Sequence, residues 1–165
     1  MTSEHLLHTI PPIYDGNSKI LILGSFPSVK SRKVSFYYGH PQNRFWRVLA
    51  AVLGCAVPSS NEEKTALLHS HNIALWDVIK SCDIVGSSDS SIKNVVPNDI
   101  GVILSSCGIR QIYSNGKTSE KLFNKYIKDT VGRDTVALPS TSPANASYNL
   151  ERLTDSWSVI KNNIR

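Results

Sequence analysis

The chain has 165 residues, of which 41% are hydrophobic and 19% charged, and its formal net charge is +5. This length fits a single domain, residues 1–165, that can bury a substantial core. The apolar runs are too short to span a membrane, the N-terminus lacks the pattern of a secretory signal, and the three cysteines suggest neither a disulfide framework nor a zinc site. We therefore expect an intracellular protein of a reducing compartment, whose positive charge permits a nucleic-acid partner.

Two hydrophobic periodicities alternate along the chain. Short aliphatic runs bounded by turn residues predict strands, and apolar residues three and four apart predict helices. Four strands are predicted, over 19–23, 73–76, 110–114 and 135–138. The predicted helices alternate with them and cover 43–53, 60–69, 98–107 and 150–164, with one more that is capped by Thr118 or Ser119. The helix over 60–69 is opened by a capping box. Residues 1–18 and 87–94 are predicted to be irregular surface segments.

Strands that alternate with helices predict an α/β fold with a parallel sheet covered on both faces. The carboxyl ends of its four strands bring four loops to one edge, where open α/β sheets bind ligands. These loops are residues 24–44, 77–94, 115–118 and 139–147. Because the first loop holds two tyrosines, a histidine and an amide, this edge is predicted to form a pocket for a flat, polar ring such as a nucleobase.

Two segments of the chain resemble hydrolase motifs, but each lacks a residue that its motif requires. The run Asn115-Gly116-Lys117-Thr118 ends like a phosphate-binding loop, but Gln111 stands where that loop requires its first glycine. Ser25 directly follows Gly24, whereas a nucleophile elbow requires one residue between the glycine and the serine. We therefore expect neither a P-loop nucleotide triphosphatase nor a serine hydrolase.

Several residues have both a structural and a functional interpretation. Tyr37 and Tyr38 either pack in the core or offer a stacking face to an extruded base. Asn43 caps a helix, supplies a neutral amide to the pocket, or does both. Residues 138–146, LPSTSPANA, form either a rigid surface loop or a stiff probe that enters the DNA minor groove. Asp77 and Asp89 are left open between loop capping and a part in the chemistry.

Three segments together carry a resemblance to the uracil-DNA glycosylase superfamily. They are GSFPS at 24–28, YYGHPQNRFW at 37–46 and LPSTSPAN at 138–145. HPQNRFW resembles the branch that acts on G·U and G·T mismatches, whereas GSFPS, LPSTSPAN and the intervening ALWDVIKSCDIVGSSDSSIKN are more similar to the DNA-deoxyinosine (hypoxanthine-DNA) glycosylase branch. The resemblance, over about residues 19–147, implies a three-layer α/β/α sandwich with a central four-stranded, mostly parallel sheet, and base excision without a metal or cofactor.

The resemblance also implies roles for individual residues. Asn43 matches the main catalytic amide, and Tyr38 matches the aromatic residue that stacks on the flipped base. The backbone N–H groups near Ser25 and Phe26 match those that form hydrogen bonds with the base. By position in the loops, His40 and Asn115 are expected to line the same pocket. The residues expected to contact DNA are Ser28, Ser140, Ser142, Pro143 and Asn145.

The predicted function is therefore that of a monofunctional DNA glycosylase of base excision repair, and hypoxanthine is the base that we expect it to excise. Its expected partner is double-stranded DNA that holds a deaminated base, with no membrane partner and a monomer as the default state. Phe26 stands where several branches place a catalytic Asp or Asn, and Leu138 stands where others place a histidine, which disfavours strong uracil excision. The alternatives are a glycosylase for uracil or mismatches and a non-catalytic module that binds damaged DNA.

Overall fold

A computed structural model describes residues 2–165 of the chain. Its strands are β1 (Glu4–Leu7), β2 (Ile20–Gly24), β3 (Ile73–Asp77), β4 (Ile79–Ile84), β5 (Lys93–Pro97), β6 (Gln111–Asn115) and β7 (Thr135–Leu138). Its helices are α1 (Val29–Val34), α2 (Phe45–Leu53), α3 (Asn61–Ser70), α4 (Gly101–Ser106), α5 (Lys117–Tyr126), α6 (Lys128–Val131) and α7 (Leu150–Trp157), with 3-10 turns at Asp89–Ser91 and Ser158–Asn162. Within these residues, no helix is both long and apolar enough to cross a bilayer.

The central sheet is parallel and has the strand order β3-β2-β6-β7. In its register Gly24 faces Asp77 across β2 and β3, and Asn115 faces Leu138 across β6 and β7. The carboxyl ends of all four strands therefore meet at one edge. The four strands predicted from the sequence are the four strands of this sheet, so that prediction is confirmed.

Both faces of the central sheet are buried, which explains why β2 is apolar at nearly every position. Ile20 and Ile22 contribute to a core cluster that includes residues of α2 and α7. Leu21 and Leu23, which point to the opposite face, contribute to a second cluster that includes residues of α4 and α5. This arrangement confirms the predicted three-layer α/β/α sandwich.

A second, antiparallel sheet of order β1-β4-β5 was not predicted. Residues 4–7 pair with β4, so the N-terminal segment is not wholly irregular, and residues 93 and 94 of the predicted loop begin β5. Strand β4 interrupts its apolar pattern with Lys80 and Asp83, and its register with β5 is irregular. The pairing of Glu4 with Ile84 is remote in sequence, so no local pattern could reveal it.

Some helix starts were predicted correctly from the sequence and others were not. Ser60 accepts the N–H of Glu63 at 3.1 Å, which confirms Ser60 as the cap of α3. The Glu63 carboxylate accepts the N–H of Ser59 at 3.4 Å, one residue before the position that a capping box requires. Neither Thr118 nor Ser119 caps α5, because the helix already begins at Lys117, and the Ser119 hydroxyl instead donates to the Leu23 carbonyl at 2.7 Å. Its cap is Gly116, with a φ of +94°, a conformation that favours glycine. The short α1 was not predicted.

The second core cluster allows a stability prediction. Replacing Phe123, which is fully buried, with alanine is expected to lower the free energy of unfolding by about 3–5 kcal/mol, because it leaves a cavity. Val102→Ala, at an exposed helix position, is the matched control and should change it by less than about 0.5 kcal/mol. Urea denaturation measures both values. Equal stabilities of the two variants would contradict the assignment of Phe123 to the core.

Candidate active site

A cavity of about 600 Å³ opens at the carboxyl edge of the central sheet. Each of the four predicted loops contributes to its wall, so the predicted position of the pocket is confirmed. Its lining residues are Gly24, Ser25, Phe26, Pro27, Ser28, Tyr37, Tyr38, His40, Asn43, Asp77, Ile84, Ser87, Ser88, Asp89, Ser90, Asn115, Ser140, Thr141, Ser142, Pro143 and Ala144. Of the residues expected from the sequence to act in catalysis, bind the base or contact DNA, only Asn145 lies outside this lining.

Asn43 is fixed in the cavity wall through its side-chain oxygen. Asn43 Oδ1 accepts hydrogen bonds from the Phe45 N–H and from Thr141 Oγ1, each at 2.9 Å. It therefore serves α2 as a cap-like acceptor and also lines the pocket. The structure shows no hydrogen bond to Asn43 Nδ2 within residues 2–165, so its two N–H groups can serve a ligand or a water molecule.

Thr141, which sequence reasoning missed, connects three loops. It is fully buried, its N–H donates to Asn115 Oδ1 at 3.1 Å, and its hydroxyl receives a hydrogen bond from Asn115 Nδ2 at 3.0 Å. The same hydroxyl donates to Asn43. Asn115 therefore supports the wall of the cavity through Thr141, in addition to lining it.

Arg44, the neighbour of Asn43, holds the loop over residues 139–148. Its backbone N–H donates to the Thr141 carbonyl at 3.0 Å. Its guanidinium donates to the carbonyl of Ser142 at 2.9 Å, of Asn145 at 3.1 Å and of Tyr148. One arginine of the HPQNRFW segment thus satisfies several carbonyls of a loop about a hundred residues away.

Hydrogen bonds within the 139–148 loop also restrict its conformation. Ser140 Oγ accepts the Ser142 N–H at 3.1 Å, and Ser142 Oγ accepts the Ala144 N–H at 3.2 Å. Asn145 Nδ2 donates to the Ser140 carbonyl at 3.0 Å, which places its amide inside the loop. Pro143 and Ala144 form the exposed tip. These contacts agree with the interpretation of the segment as a rigid surface loop.

The two tyrosines differ in environment. Tyr37 is buried in the core, and its hydroxyl donates to the Pro11 carbonyl at 2.8 Å. Tyr38 lines the cavity with one ring face stacked on Phe45, at 4.1 Å between ring centroids. The Tyr38 hydroxyl is buried without a hydrogen bond of ordinary geometry within the described chain. Burial, with the nearby Asp77 charge, raises the pKa of Tyr38, so this hydroxyl stays protonated.

Asp77 lines the cavity and is paired with His8, whose side chain is buried and does not belong to the lining. Asp77 is 4% exposed, and its Oδ2 accepts from His8 Nε2 at 2.8 Å. His8 belongs to the segment that the sequence left without structure, and nothing local marked it as a site residue. Its ring lies edge-on to Phe26, with 6.0 Å between the ring centroids. A Cβ on Gly24 would approach Asp77 Oδ1 to 2.3 Å, so only glycine leaves room for this carboxylate.

The outer wall contains residues with mainly local contacts. Ser28 caps α1 by accepting the Ser31 N–H at 3.1 Å. His40 is exposed, and its Nδ1 accepts the Gln42 N–H at 3.1 Å. Asp89 lies on the rim, on the 3-10 turn. No group of three or more His, Cys, Asp or Glu residues is placed to hold a metal ion in the described part of the chain.

Sequence comparison shows relatives of this chain along most of its length. The family model of the uracil DNA glycosylase superfamily matches residues 11–162. A protein of Methanosarcina barkeri (strain Fusaro / DSM 804) named hypoxanthine DNA glycosylase is 36% identical over 137 residues, which cover 82% of this chain and 85% of that protein. A Methanosarcina acetivorans protein of the same name is 34% identical over 152 residues, with 91% and 94% covered.

Structural comparison agrees with the sequence comparison. The solution NMR structure of a Methanosarcina acetivorans protein, described as a candidate uracil DNA glycosylase, superposes with a TM-score of 0.79. That protein is 33% identical to this chain, and the match covers 92% of this chain and 94% of that one. The family match, the identity to both curated relatives and the shared α/β/α architecture lead to one conclusion: this chain belongs to the uracil DNA glycosylase superfamily.

Proposed function

We propose that this protein excises hypoxanthine from double-stranded DNA by hydrolysis of the N-glycosidic bond. The observation that carries the proposal is the Asn43 amide: its oxygen is fixed in the wall of a cavity large enough to admit a base, and its N–H groups make no hydrogen bond within residues 2–165. Two relatives that cover most of the chain bear the name hypoxanthine DNA glycosylase, which supports the choice of base. The cavity volume lies within the range of small-molecule sites.

The reaction requires the base to leave the helix and enter the cavity. Unstacking costs a few kcal/mol and less for a mispaired base, which favours hypoxanthine over a properly paired purine. The free Asn43 Nδ2 group orients a water molecule, whose oxygen bonds to the sugar carbon as the bond to the base breaks. The water proton finally resides on the released base. Backbone N–H groups near Ser25 and Phe26 stabilise the negative charge that develops on that base.

Phe26 bears on how the attacking water can be activated. It occupies the position where a carboxylate could otherwise deprotonate water, and its half-buried ring contacts His8 instead. Asn43 is not a base at neutral pH, so it can only position water. The mechanism therefore depends on the leaving base departing as a stabilised anion, and bases that form poor anions are expected to react slowly.

The 139–148 loop is assigned to the DNA. Its exposed Pro143–Ala144 tip lies beside the cavity mouth and is held by Arg44, so it can enter a groove without changing shape. A rigid apolar tip between base steps favours an open, kinked duplex over a stacked one. Ser140 and Ser142 shape this tip, and Asn145 anchors it from within.

The first prediction about activity concerns Asn43. Asn43→Ala is expected to lower single-turnover release of hypoxanthine from a duplex oligonucleotide by about 10²- to 10³-fold, because it removes an oriented dipole from the transition state. Gln42→Ala is the matched control, because this neighbouring amide is exposed and does not line the cavity. It should retain activity within about twofold of the wild type.

Parallel duplexes with uracil or xanthine make the result decisive. Preferential uracil release by the wild type would overturn the choice of hypoxanthine. Tight binding of mispaired duplex without release of any base would overturn the enzyme assignment and leave a damaged-DNA-binding module. An Asn43→Ala variant as active as Gln42→Ala would overturn the role of the amide.

The second prediction concerns Arg44. Arg44→Ala is expected to lower hypoxanthine release from duplex DNA by about tenfold or more while changing release from single-stranded DNA little, because only the duplex requires a shaped loop to hold it open. Arg47→Ala removes the same charge from an exposed position nearby and should affect both substrates equally. Equal losses on duplex and single-stranded DNA for Arg44→Ala would show that the loop is not an opening device.

A further inference from the structure

Two adjacent backbone N–H groups in the cavity wall have no hydrogen-bond partner. They belong to Ser25 and Phe26, which directly follow the end of β2 and line the cavity. No hydrogen bond from either N–H group is found within residues 2–165. Neighbouring free backbone donors of this kind can serve an acceptor or an anion that enters the cavity.

The start of the segment that carries these donors is held by the residues that connect β3 and β4. The Gly24 carbonyl accepts the Val78 N–H at 2.9 Å, and the Ser25 carbonyl accepts the Ile79 N–H at 3.1 Å. The Phe26 N–H belongs to the same planar peptide group as the Ser25 carbonyl, so the two point in opposite directions. Holding the carbonyl therefore also directs this N–H.

The end of the segment is held by Arg32 of α1. Its Nη1 donates to the Pro27 carbonyl at 2.7 Å, and its Nη2 donates to the Gly86 carbonyl at 3.4 Å. Its Cζ lies 5.7 Å from the centroid of the Phe26 ring. Phe26 and Pro27 line the cavity, and Gly86 directly precedes Ser87, another lining residue. One side chain thus joins the two loops that form this part of the wall.

The charge of Arg32 is not used in an ion pair. None of the ion pairs within residues 2–165 includes it. Its contacts are carbonyls and an aromatic ring, which suit the planar, several-donor guanidinium of arginine and not the single ammonium of lysine. The side chain therefore holds backbone geometry and does not neutralise an acidic residue.

We propose that Arg32 is a positioning residue for base release, which keeps the two free N–H groups directed at the departing base by holding the carbonyls of both loops. The proposal rests on the proposed function and deepens it by naming the residue that shapes the anion-binding backbone. Preorganised donors stabilise a developing charge because they do not have to reorient during the reaction. A misplacement of about 1 Å caused by a residue outside the reacting groups can cost about 100-fold in rate.

The kinetic test uses Arg32→Lys, which keeps the charge but cannot hold two carbonyls. Single-turnover release of hypoxanthine from duplex DNA, measured at saturating protein, is expected to fall about 10- to 100-fold. Affinity for a duplex that holds the non-hydrolysable 2′-fluoro analogue of deoxyinosine should stay within about twofold of the wild-type value. Donors that act on the transition state lower the rate when they are lost and change ground-state binding little.

The identity of the leaving base supplies a readout that a merely structural role would not change. The additional ring nitrogen of 8-azahypoxanthine makes it a better anion than hypoxanthine, so its release depends less on donors in the cavity wall. Arg32→Lys is therefore expected to lose less activity on a duplex with 8-azahypoxanthine than on one with hypoxanthine.

The chain offers a matched control on the same helix. Lys33 is exposed, so Lys33→Met removes a positive charge without removing either contact to a carbonyl. This variant should release hypoxanthine within about twofold of the wild-type rate. Arg32→Met removes both the charge and the contacts, and it should be as slow as Arg32→Lys. Urea denaturation shows which variants are folded, and if one Arg32 variant is not, the other decides the question.

Proton–nitrogen NMR spectra test the inference without catalysis. When free hypoxanthine is added to the wild type, the amide signals of Ser25 and Phe26 are expected to shift. In Arg32→Lys these two shifts should be largely lost, because the donors are no longer directed at the base. In Lys33→Met they should be the same as in the wild type.

The outcomes separate this inference from the proposed function. No release of hypoxanthine by the wild type, with amide shifts that require Arg32, would overturn the proposed function but leave the positioning of the two donors intact. Hypoxanthine release by the wild type, with Arg32→Lys as fast as Lys33→Met, would overturn the inference alone. A fast Arg32→Lys beside a slow Arg32→Met would show that charge and not geometry matters, and would also overturn it.

Two further results would contradict the positioning role. One is an equal loss in Arg32→Lys for hypoxanthine and 8-azahypoxanthine, which would show that the variant does not act on the departing anion. The other is the absence of any shift in the Ser25 and Phe26 amide signals of the wild type when hypoxanthine is added.

Discussion

The hydroxyl of Thr141 is the contact on which the site depends. It donates to Asn43, accepts from Asn115 and lies in a loop whose backbone is held by Arg44. These residues come from three separate segments of the chain that meet at the carboxyl edge of the central sheet. A buried polar network in which every group has a hydrogen-bond partner fixes its side chains in one arrangement. Apolar side chains, by contrast, can shift slightly and still pack well. The side-chain oxygen of Asn43 is therefore held both by its own helix, through the Phe45 N–H, and by Thr141 of the 139–148 loop.

The same region contains unfavourable features that the rest of the fold must offset. Tyr38 has a φ of +53°, which a bulky residue rarely adopts. The Tyr38 hydroxyl and Arg44 Nε are both buried, and neither has a hydrogen-bond partner among the residues that the structure describes. Strain and unsatisfied groups gathered at one cavity are typical of a site shaped for a ligand more than for stability. Such costs are borne by the whole core, of which β2, buried on both faces, is the centre.

Much of the fold could be predicted because its signals are local. The four core strands and the Ser60 cap of α3 each follow from a few neighbouring residues, and so does the edge at which the cavity opens. The β1-β4-β5 sheet could not be predicted, because Glu4 and Ile84 pair across the length of the domain and β4 interrupts its apolar pattern. Asn43 and the 139–148 loop were recognisable as motifs. His8 and Thr141 were not, because their importance arises only from contacts made after folding.

Strand β1 lies at the edge of the second sheet and contacts the core sheet through little more than its neighbour β4. Edge strands with few buried contacts open locally at a lower free energy than the whole domain unfolds. Opening of β1 would separate His8 from Asp77 while the four parallel strands remain folded. Asp77 belongs to the cavity lining, so one wall of the cavity depends on a hydrogen bond from a segment outside the central sheet. Substitutions in β1 can therefore loosen this wall without unfolding the sheet that carries the rest of the site.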